Sequence, residues 1–272
     1  MLRTSINHNI RKFSMNKAIK CNRFEGKVAV VTASTDGIGY SIARRLAQEG
    51  AKVMISSRKE SNVKRAVNEL LGENLNVAGI TCHVGKAEDR KKLFNETLSK
   101  FGGLDILVSN AAVNPVAGPV LDCPEEVWDK IFDINVKSTY LLMQESLPLL
   151  KKSKSPSITI VSSISGYQPF ELLGAYSVSK TALLGLCKAA AESLSTYGIR
   201  VNCIAPGIIK TKFSEPLYSS EAVYETAMDK IPLRRLGMPD EIGSVAAFLA
   251  SEDASYITGE TIVASGGMAS RL

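Results

Sequence analysis

The chain has 272 residues, of which 45% are hydrophobic and 22% charged, and carries a formal net charge of +6. That length suits a single α/β domain with a large core. The composition excludes a disordered, collagen-like or disulfide-stapled chain, and the absence of any run of eighteen apolar residues excludes a membrane-spanning helix. The excess charge is local: Arg3, Arg11, Lys12, Lys17, Lys20 and Arg23 stand among the first 24 residues without an acid, and the other 27 basic residues are matched by 27 acidic ones. A neutral body offers no footprint for a phosphate backbone, so no nucleic-acid partner is expected. Cys21, Cys82, Cys123, Cys187 and Cys203 are widely spaced and form no CxxC, which argues against a disulfide framework or a metal site.

After a basic arm over 1–23, the pattern predicts strands at Lys27–Thr32, Lys52–Ser56, Val77–Cys82, Leu104–Ser109, Ser157–Ser162, Arg200–Ile204 and Thr261–Ala264. Helical periodicity fills 40–49, 60–71, 87–101, 124–150, 176–197 and 238–251 between them. Apolar strands alternating with helices predict one domain over 24–272: a doubly wound parallel sheet of about seven strands, with helices on both faces. The long segment from Pro206 to Lys230 shows no strand pattern and is expected to be a mobile lid.

The first strand runs into Thr32-Ala33-Ser34-Thr35-Asp36-Gly37-Ile38-Gly39 and then a helix. A tight turn between a strand and a helix start gathers backbone N–H groups at the positive helix end, a place suited to a pyrophosphate, with Gly37 and Gly39 allowing close approach. This segment resembles the TGxxxGxG signature of the short-chain dehydrogenases/reductases, with Ala33 in place of the first glycine. An alanine keeps that turn if its φ is negative. Further blocks follow in the family's order: Ser109-Asn110-Ala111-Ala112, Asn135, Ser163, the Tyr176-xxx-Lys180 pair, and Pro206-Gly207 before Thr211. The resemblance spans about residues 24–267 and implies a Rossmann-type nucleotide fold. It also implies cofactor contacts from Ser34, Thr35, Gly37, Ile38, Gly39, Ser57, Arg58, Lys59, His83, Val84, Asn110, Ala111, Tyr176, Lys180, Pro206, Gly207, Ile209 and Thr211. His83 stands where most of the family has an aspartate near the adenine.

Carbonyl reduction needs a hydride on carbon and a proton on oxygen. Tyr176 and Lys180, four apart on a predicted helix, share a face. A cation about 4 Å away at an effective dielectric near 20 contributes roughly 4 kcal/mol, enough to lower a tyrosine by up to about three in pKa before desolvation is subtracted. Ser163 follows the fifth strand, at the edge where open α/β sheets bind ligands, and its hydroxyl is placed to fix the substrate oxygen; Ser162 is the local competitor. The resemblance makes Ser163, Tyr176, Lys180 and Asn135 the catalytic set, with Asn135 holding a water that links Lys180 to solvent.

Enzymes that use NAD usually carry a carboxylate about 20 residues past the glycines. Here Ser57 occupies that place and Arg58 and Lys59 follow, a set that suits the 2′-phosphate of NADP; Glu60 is the one nearby acid that could reach a ribose. Phe170, Leu172 and Leu173 before Tyr176, and Phe213, Leu217 and Tyr218 in the lid, suggest a pocket for a small apolar carbonyl compound, with Ser163, Phe170 and Tyr176 as substrate contacts. The expected activity is therefore NADPH-dependent reduction of aromatic ketones, α-dicarbonyls, quinones, retinal or ketosteroids. The alternatives are an NAD-dependent alcohol or hydroxysteroid dehydrogenase and a catalytically silent nucleotide-binding module. The family also implies a homotetramer, built on the 124–150 and 176–197 helices and the last strand.

The terminal Ser270-Arg271-Leu272 resembles a peroxisomal address, which implies an import receptor as partner. Leu2, Ile6, Ile10 and Phe13, at helical spacing among basic residues, form a competing mitochondrial signal that a start at Met15 would remove. A cytosolic protein with a plain basic tail is the third option.

Overall fold

The computed structural model describes residues 22–218 and 220–270; most of the basic arm, and Arg271 and Leu272 of the terminal tripeptide, lie outside the described residues. Seven strands form one parallel sheet: β1 (Val28–Val31), β2 (Lys52–Ser57), β3 (Val77–Thr81), β4 (Ile106–Ser109), β5 (Ser157–Val161), β6 (Arg200–Pro206) and β7 (Thr261–Ala264). Their spatial order is β3-β2-β1-β4-β5-β6-β7, so the chain reverses direction across the sheet between β1 and β4. Among the described residues eight α-helices accompany them: α1 (Gly37–Gln48), α2 (Glu60–Gly72), α3 (Ala87–Phe101), α4 (Glu125–Phe132), α5 (Ser138–Leu150), α6 (Gly174–Leu194), α7 (Glu221–Asp229) and α8 (Pro239–Ala250). None of the described helices is long and apolar enough to cross a membrane.

Alternation along each strand sorts side chains to the two faces. Ala29, Val31, Ile106 and Val108 pack with Ile42 and Leu46 of α1, Ala66 and Leu70 of α2, and Ile242 and Ala246 of α8. Val30, Leu107, Ile158 and Ile160 pack on the other face with Leu93 of α3, Leu142 of α5, and Leu183 and Cys187 of α6. At about 25 cal/mol per Å² of apolar surface removed from water, these two faces supply the main drive to fold.

The structure adds detail to three sequence expectations. The 124–150 helix is interrupted by a wider turn at Asp133–Lys137, with α4 before it and α5 after it. There the Ser138 hydroxyl donates to Ile134 O (2.6 Å) and the Thr139 hydroxyl to Asn135 O (3.0 Å), so side chains occupy carbonyls within the turn. Beyond Pro206, which ends β6, the segment to residue 230 has no strand among the described residues, but it contains α7 and rests on its own small core: Ile208, Ala227, Met228, Ile231, Leu236 and Met268 against Ile164, with Phe170, Leu217 and Tyr218 packed on it. The fold also begins before Phe24. The Arg23 guanidinium pairs with the fully buried carboxylate of Glu49 (2.6 Å) and with Asp253 (2.8 Å), tying the entering chain to the end of α1 and to the loop before β7.

Candidate active site

The turn after β1 is held by a small polar network. Asn110 Nδ2 donates to the carbonyl oxygens of Thr32 and Ala33, 3.1 Å each. The backbone N–H groups of Asn110 and Ala111 donate to the Thr32 hydroxyl at 3.0 and 3.2 Å. This clamp bends Ala33 into the left-handed region, with φ of 49°, where a Cβ costs roughly 1–2 kcal/mol. The turn therefore keeps the conformation that a glycine would adopt freely, with Ala33 carrying the strain. Gly39 is obligatory for a different reason: a Cβ there would lie 2.4 Å from Ala33 O and 2.5 Å from Asn110 Nδ2. Thr32, which sequence reading did not single out, is the hub of this clamp; its one signal is a hydroxyl at a strand end opposite the Asn110 block.

The expected cofactor contacts divide. Asp36 caps α1 by accepting from Gly37 N (2.9 Å), and Tyr40 N bonds to Asp36 O, while the intervening N–H groups of Ile38 and Gly39 make no hydrogen bond among the described residues. Those two N–H groups at the positive helix end are the donor set a pyrophosphate needs. Ser34 is turned away: its hydroxyl donates to Val31 O (2.6 Å) and accepts from Ser56 N (3.0 Å), stitching the turn to β2. Thr35 is buried and offers its carbonyl to Arg65 Nη2 (2.7 Å). At the end of β2, Ser57 is half-buried and Arg58 and Lys59 are exposed. Glu60, the nearby acid, is paired with Lys64 at 2.6 Å. His83 folds back, its ring Nδ1 accepting from Gly85 N (3.2 Å), while its backbone N–H donates to Asp89 (2.8 Å). Val84 is buried, with its carbonyl held by Arg90 at 2.8 Å.

Tyr176 and Lys180 project from α6 toward the end of β5, where Ser163 starts a short turn, Ile164–Gly166. Gly166 sets the spacing: a Cβ there would meet the Lys180 carbonyl carbon at 2.9 Å, so the turn lies directly on the α6 backbone. The Ser163 hydroxyl oxygen accepts from Ser165 N (3.1 Å) and Ser165 Oγ (2.9 Å), which leaves its own hydrogen to be donated outward. Ser163 lies close enough to the Tyr176 phenol to act on its ionisation. Ser162, the competitor, is spent on the backbone, donating to Lys180 O at 2.8 Å.

Lys180 is 2% exposed, with Nζ donating to Val161 O at 2.9 Å and lying 5.4 Å from the centre of the Tyr176 ring. Burial lowers its pKa to about 8. Burial also raises the Tyr176 phenol well above its ordinary value, and the neighbouring Ser163 hydroxyl only partly offsets this. The expectation of a phenol lowered by Lys180 is therefore reversed in the protein alone, because Nζ is aimed at Val161 O and desolvation is the larger effect. Asn135 is fully buried, and its amide is used on protein partners: Nδ2 donates to Val113 O (3.1 Å) and Ser179 Oγ (3.0 Å), and Oδ1 accepts from Val113 N (2.8 Å). Both amide hydrogens are committed, so its side chain fastens the 113 loop to α6.

Three consecutive residues of the lid span the site. The Thr211 methyl faces Gly37, the Lys212 ammonium pairs with Asp36 (2.6 Å), and the Phe213 ring tilts over Tyr176 with centres 5.9 Å apart. Phe213 and Leu172 are more than half exposed, whereas Phe170, Leu217 and Tyr218 are partly buried and pack on the lid's own core. Gly207 packs on Ser265, and Ile209 is buried with its carbonyl bonded to the Ser214 hydroxyl. A cavity of about 510 Å³ adjoins these two residues and lies between α8, β7 and the C-terminal tail; Ser163, Tyr176 and Lys180 do not line it, but Ser270 does.

The family model described as enoyl-(acyl carrier protein) reductase matches residues 32–269. The chain is 57% identical over 246 residues to the Dehydrogenase/reductase SDR family member 4 of Oryctolagus cuniculus, covering 90% of this chain and 95% of that relative. It is 51% identical to Tropinone reductase-like 3 of Erythroxylum coca, covering 92% and 96%. Among solved structures, a Sinorhizobium meliloti protein assigned as a short-chain alcohol dehydrogenase superposes with a TM-score of 0.84 at 33% identity, over 89% of this chain and 96% of that one. Ordered motifs, sheet order and relatives across nine-tenths of the length agree: the chain belongs to the short-chain dehydrogenase/reductase family, oxidoreductases that work with a nicotinamide cofactor.

Proposed function

We propose that the protein reduces small apolar carbonyl compounds to alcohols with NADPH, using Tyr176 as proton donor. The observation that carries this reading is the convergence of Ser163, Tyr176 and Lys180 at the end of β5, on the same sheet edge as the N–H groups of Ile38 and Gly39, which have no partner among the described residues. When bound, the reduced nicotinamide supplies the hydride for the carbonyl carbon. Ser163, held as a donor by Ser165, hydrogen-bonds the carbonyl oxygen and fixes its position. Tyr176, kept protonated by burial, transfers its phenolic proton to that oxygen as negative charge develops there. Lys180 stabilises the phenolate left behind. Its lowered pKa lets it exchange a proton near neutrality and recharge Tyr176. Phe213 covers the phenol and keeps water off the reacting oxygen.

NADPH is favoured over NADH by the end of β2. Ser57 brings no carboxylate, Glu60 is engaged by Lys64, and the exposed Arg58 makes no ion pair among the described residues. A guanidinium there pairs with a 2′-phosphate that a carboxylate would repel. Phe213, exposed over the Tyr176 ring, and exposed Leu172 just before α6 give the site apolar surface, which suits aromatic ketones, α-dicarbonyls, quinones or retinal better than sugars.

The proposal extends to a homotetramer and to import into peroxisomes through the terminal tripeptide. Ser270, the first residue of that tripeptide, is half-buried against the cavity. The test of the activity is a steady-state assay of purified protein with an α-diketone and each reduced coenzyme. The expected result is turnover with a higher kcat/KM for NADPH. A preference for NADH would favour the alcohol dehydrogenase reading, and coenzyme binding without turnover on a broad carbonyl panel would leave a nucleotide-binding module.

A further inference from the structure

Arg65 lies in the second turn of α2, yet its guanidinium reaches the turn after β1. Nη2 donates to Thr35 O at 2.7 Å, while Nη1 is held by both oxygens of Glu69 at 2.8 and 2.9 Å. Ser34 ties this same turn to β2, through Ser34 N to Ser56 O (2.9 Å) and Ser56 N to Ser34 Oγ (3.0 Å). Thr35, the end of β2 with Ser57 and Arg58, and the Arg65 guanidinium therefore converge on one corner, the corner where a βαβ fold holds the adenosine ribose.

The charges there need a second cation. A phosphate monoester carries about 1.5 to 2 negative charges and three strong acceptor oxygens, more than one arginine matches. The turn itself contributes the opposite sign at Asp36, whose carboxylate is offset by Lys212 at 2.6 Å. A guanidinium has five N–H donors. Nε and one hydrogen of Nη2 remain beyond the contacts that Arg65 makes with Thr35 and Glu69.

We propose that Arg65 is a second binding residue for the 2′-phosphate and thereby a coenzyme-specificity residue, acting across the corner from Arg58. The inference rests on the NADPH reading above. It competes with one bland alternative, that Arg65 only braces the turn through Thr35. The two differ in what they protect: a brace supports every nucleotide alike, whereas a phosphate partner supports only those that carry the 2′-phosphate.

The experiment is calorimetric titration of the full-length, nucleotide-free protein with adenosine 2′,5′-bisphosphate and with adenosine 5′-monophosphate, which differ only in that phosphate. The proteins are wild type, Arg65→Gln and Arg65→Glu, with thermal unfolding run alongside to establish that each is folded. Arg65 is largely on the surface, so both variants should fold. Removing one charge-assisted hydrogen bond should weaken the bisphosphate about tenfold in Arg65→Gln and more in Arg65→Glu, with the monophosphate within about twofold throughout. Equal weakening of both ligands, or no change in either, would overturn the assignment while leaving Arg58 and the NADPH reading intact. A wild-type protein that binds the two ligands equally would overturn the NADPH reading itself, and this inference with it.

Discussion

Replacing Lys180 with methionine should abolish turnover and yet make the nucleotide-free protein more stable at neutral pH. The ammonium is 2% exposed and bonded to Val161 O, and burial lowers its pKa from 10.5 to about 8. Below pH 8 both the folded and the unfolded chain hold the proton, and the folded state bears the full cost of a buried charge. Between about 8 and 10.5 the unfolded chain binds the extra proton, so this site makes stability rise with pH over that window. At about 1.36 kcal/mol for each unit between the two values, the cost is about 3 kcal/mol. Methionine has a comparable unbranched shape and no charge, but it leaves the Val161 carbonyl without its donor, a loss of about 2 kcal/mol. The variant should therefore be more stable than wild type by about 1 kcal/mol at pH 7 and less stable by about 2 kcal/mol above pH 10.5. Urea unfolding of both proteins at a series of pH values measures this difference, in which titrations common to both proteins cancel. A variant that is less stable at pH 7, or a difference that does not move with pH, would refute the reasoning.

Three further outcomes are expected. Arg58→Glu should reverse the preference for NADPH, read as the ratio of kcat/KM for the two coenzymes; an unchanged ratio would remove Arg58 from the phosphate site. Ala33→Gly should relieve roughly 1–2 kcal/mol of left-handed strain against about 0.4–1 kcal/mol of added chain entropy, because the alanine is exposed and its methyl group buries little. A net gain of about 0.5–1 kcal/mol corresponds to a Tm higher by roughly 1–4 °C, and a lower Tm would count against the strain. Deleting Arg271 and Leu272 should leave the protein active but cytosolic, whereas starting translation at Met15 should leave peroxisomal import unchanged; microscopy showing the opposite pattern would give the address to the N-terminal arm.

What could be read from the sequence follows from which interactions are local. The seven strands and the Tyr176–Lys180 pair are set by period and spacing, and the structure places them within a residue or two of expectation. The interruption at Asp133–Lys137 was hidden because part of what holds it is distant: beside the local Ser138 and Thr139 bonds, Asn135 is bonded to Val113 and Ser179, which no helical pattern encodes. The same holds for the Ala33 turn, whose sign of φ is imposed by Asn110, 77 residues away. Electrostatics were the least legible. Spacing put a cation beside Tyr176, but the direction of its pKa is decided by burial and by Lys180 turning to Val161 O. Aromatic residues near the site were visible as types only, and the fold sends Phe213 to the phenol but Phe170 to the lid's core.

The central claim is that Tyr176 delivers the proton in NADPH-dependent carbonyl reduction. It is tested most directly by rapid mixing of wild type and Tyr176→Phe, each preloaded with NADPH, against an α-diketone, with coenzyme affinity measured on the same preparations. Loss of the phenolic hydroxyl should slow the single turnover by about 10²–10⁴-fold, with NADPH binding nearly unchanged, since phenylalanine keeps the ring packed under Phe213. A Tyr176→Phe protein that retains most of the wild-type single-turnover rate would contradict the account.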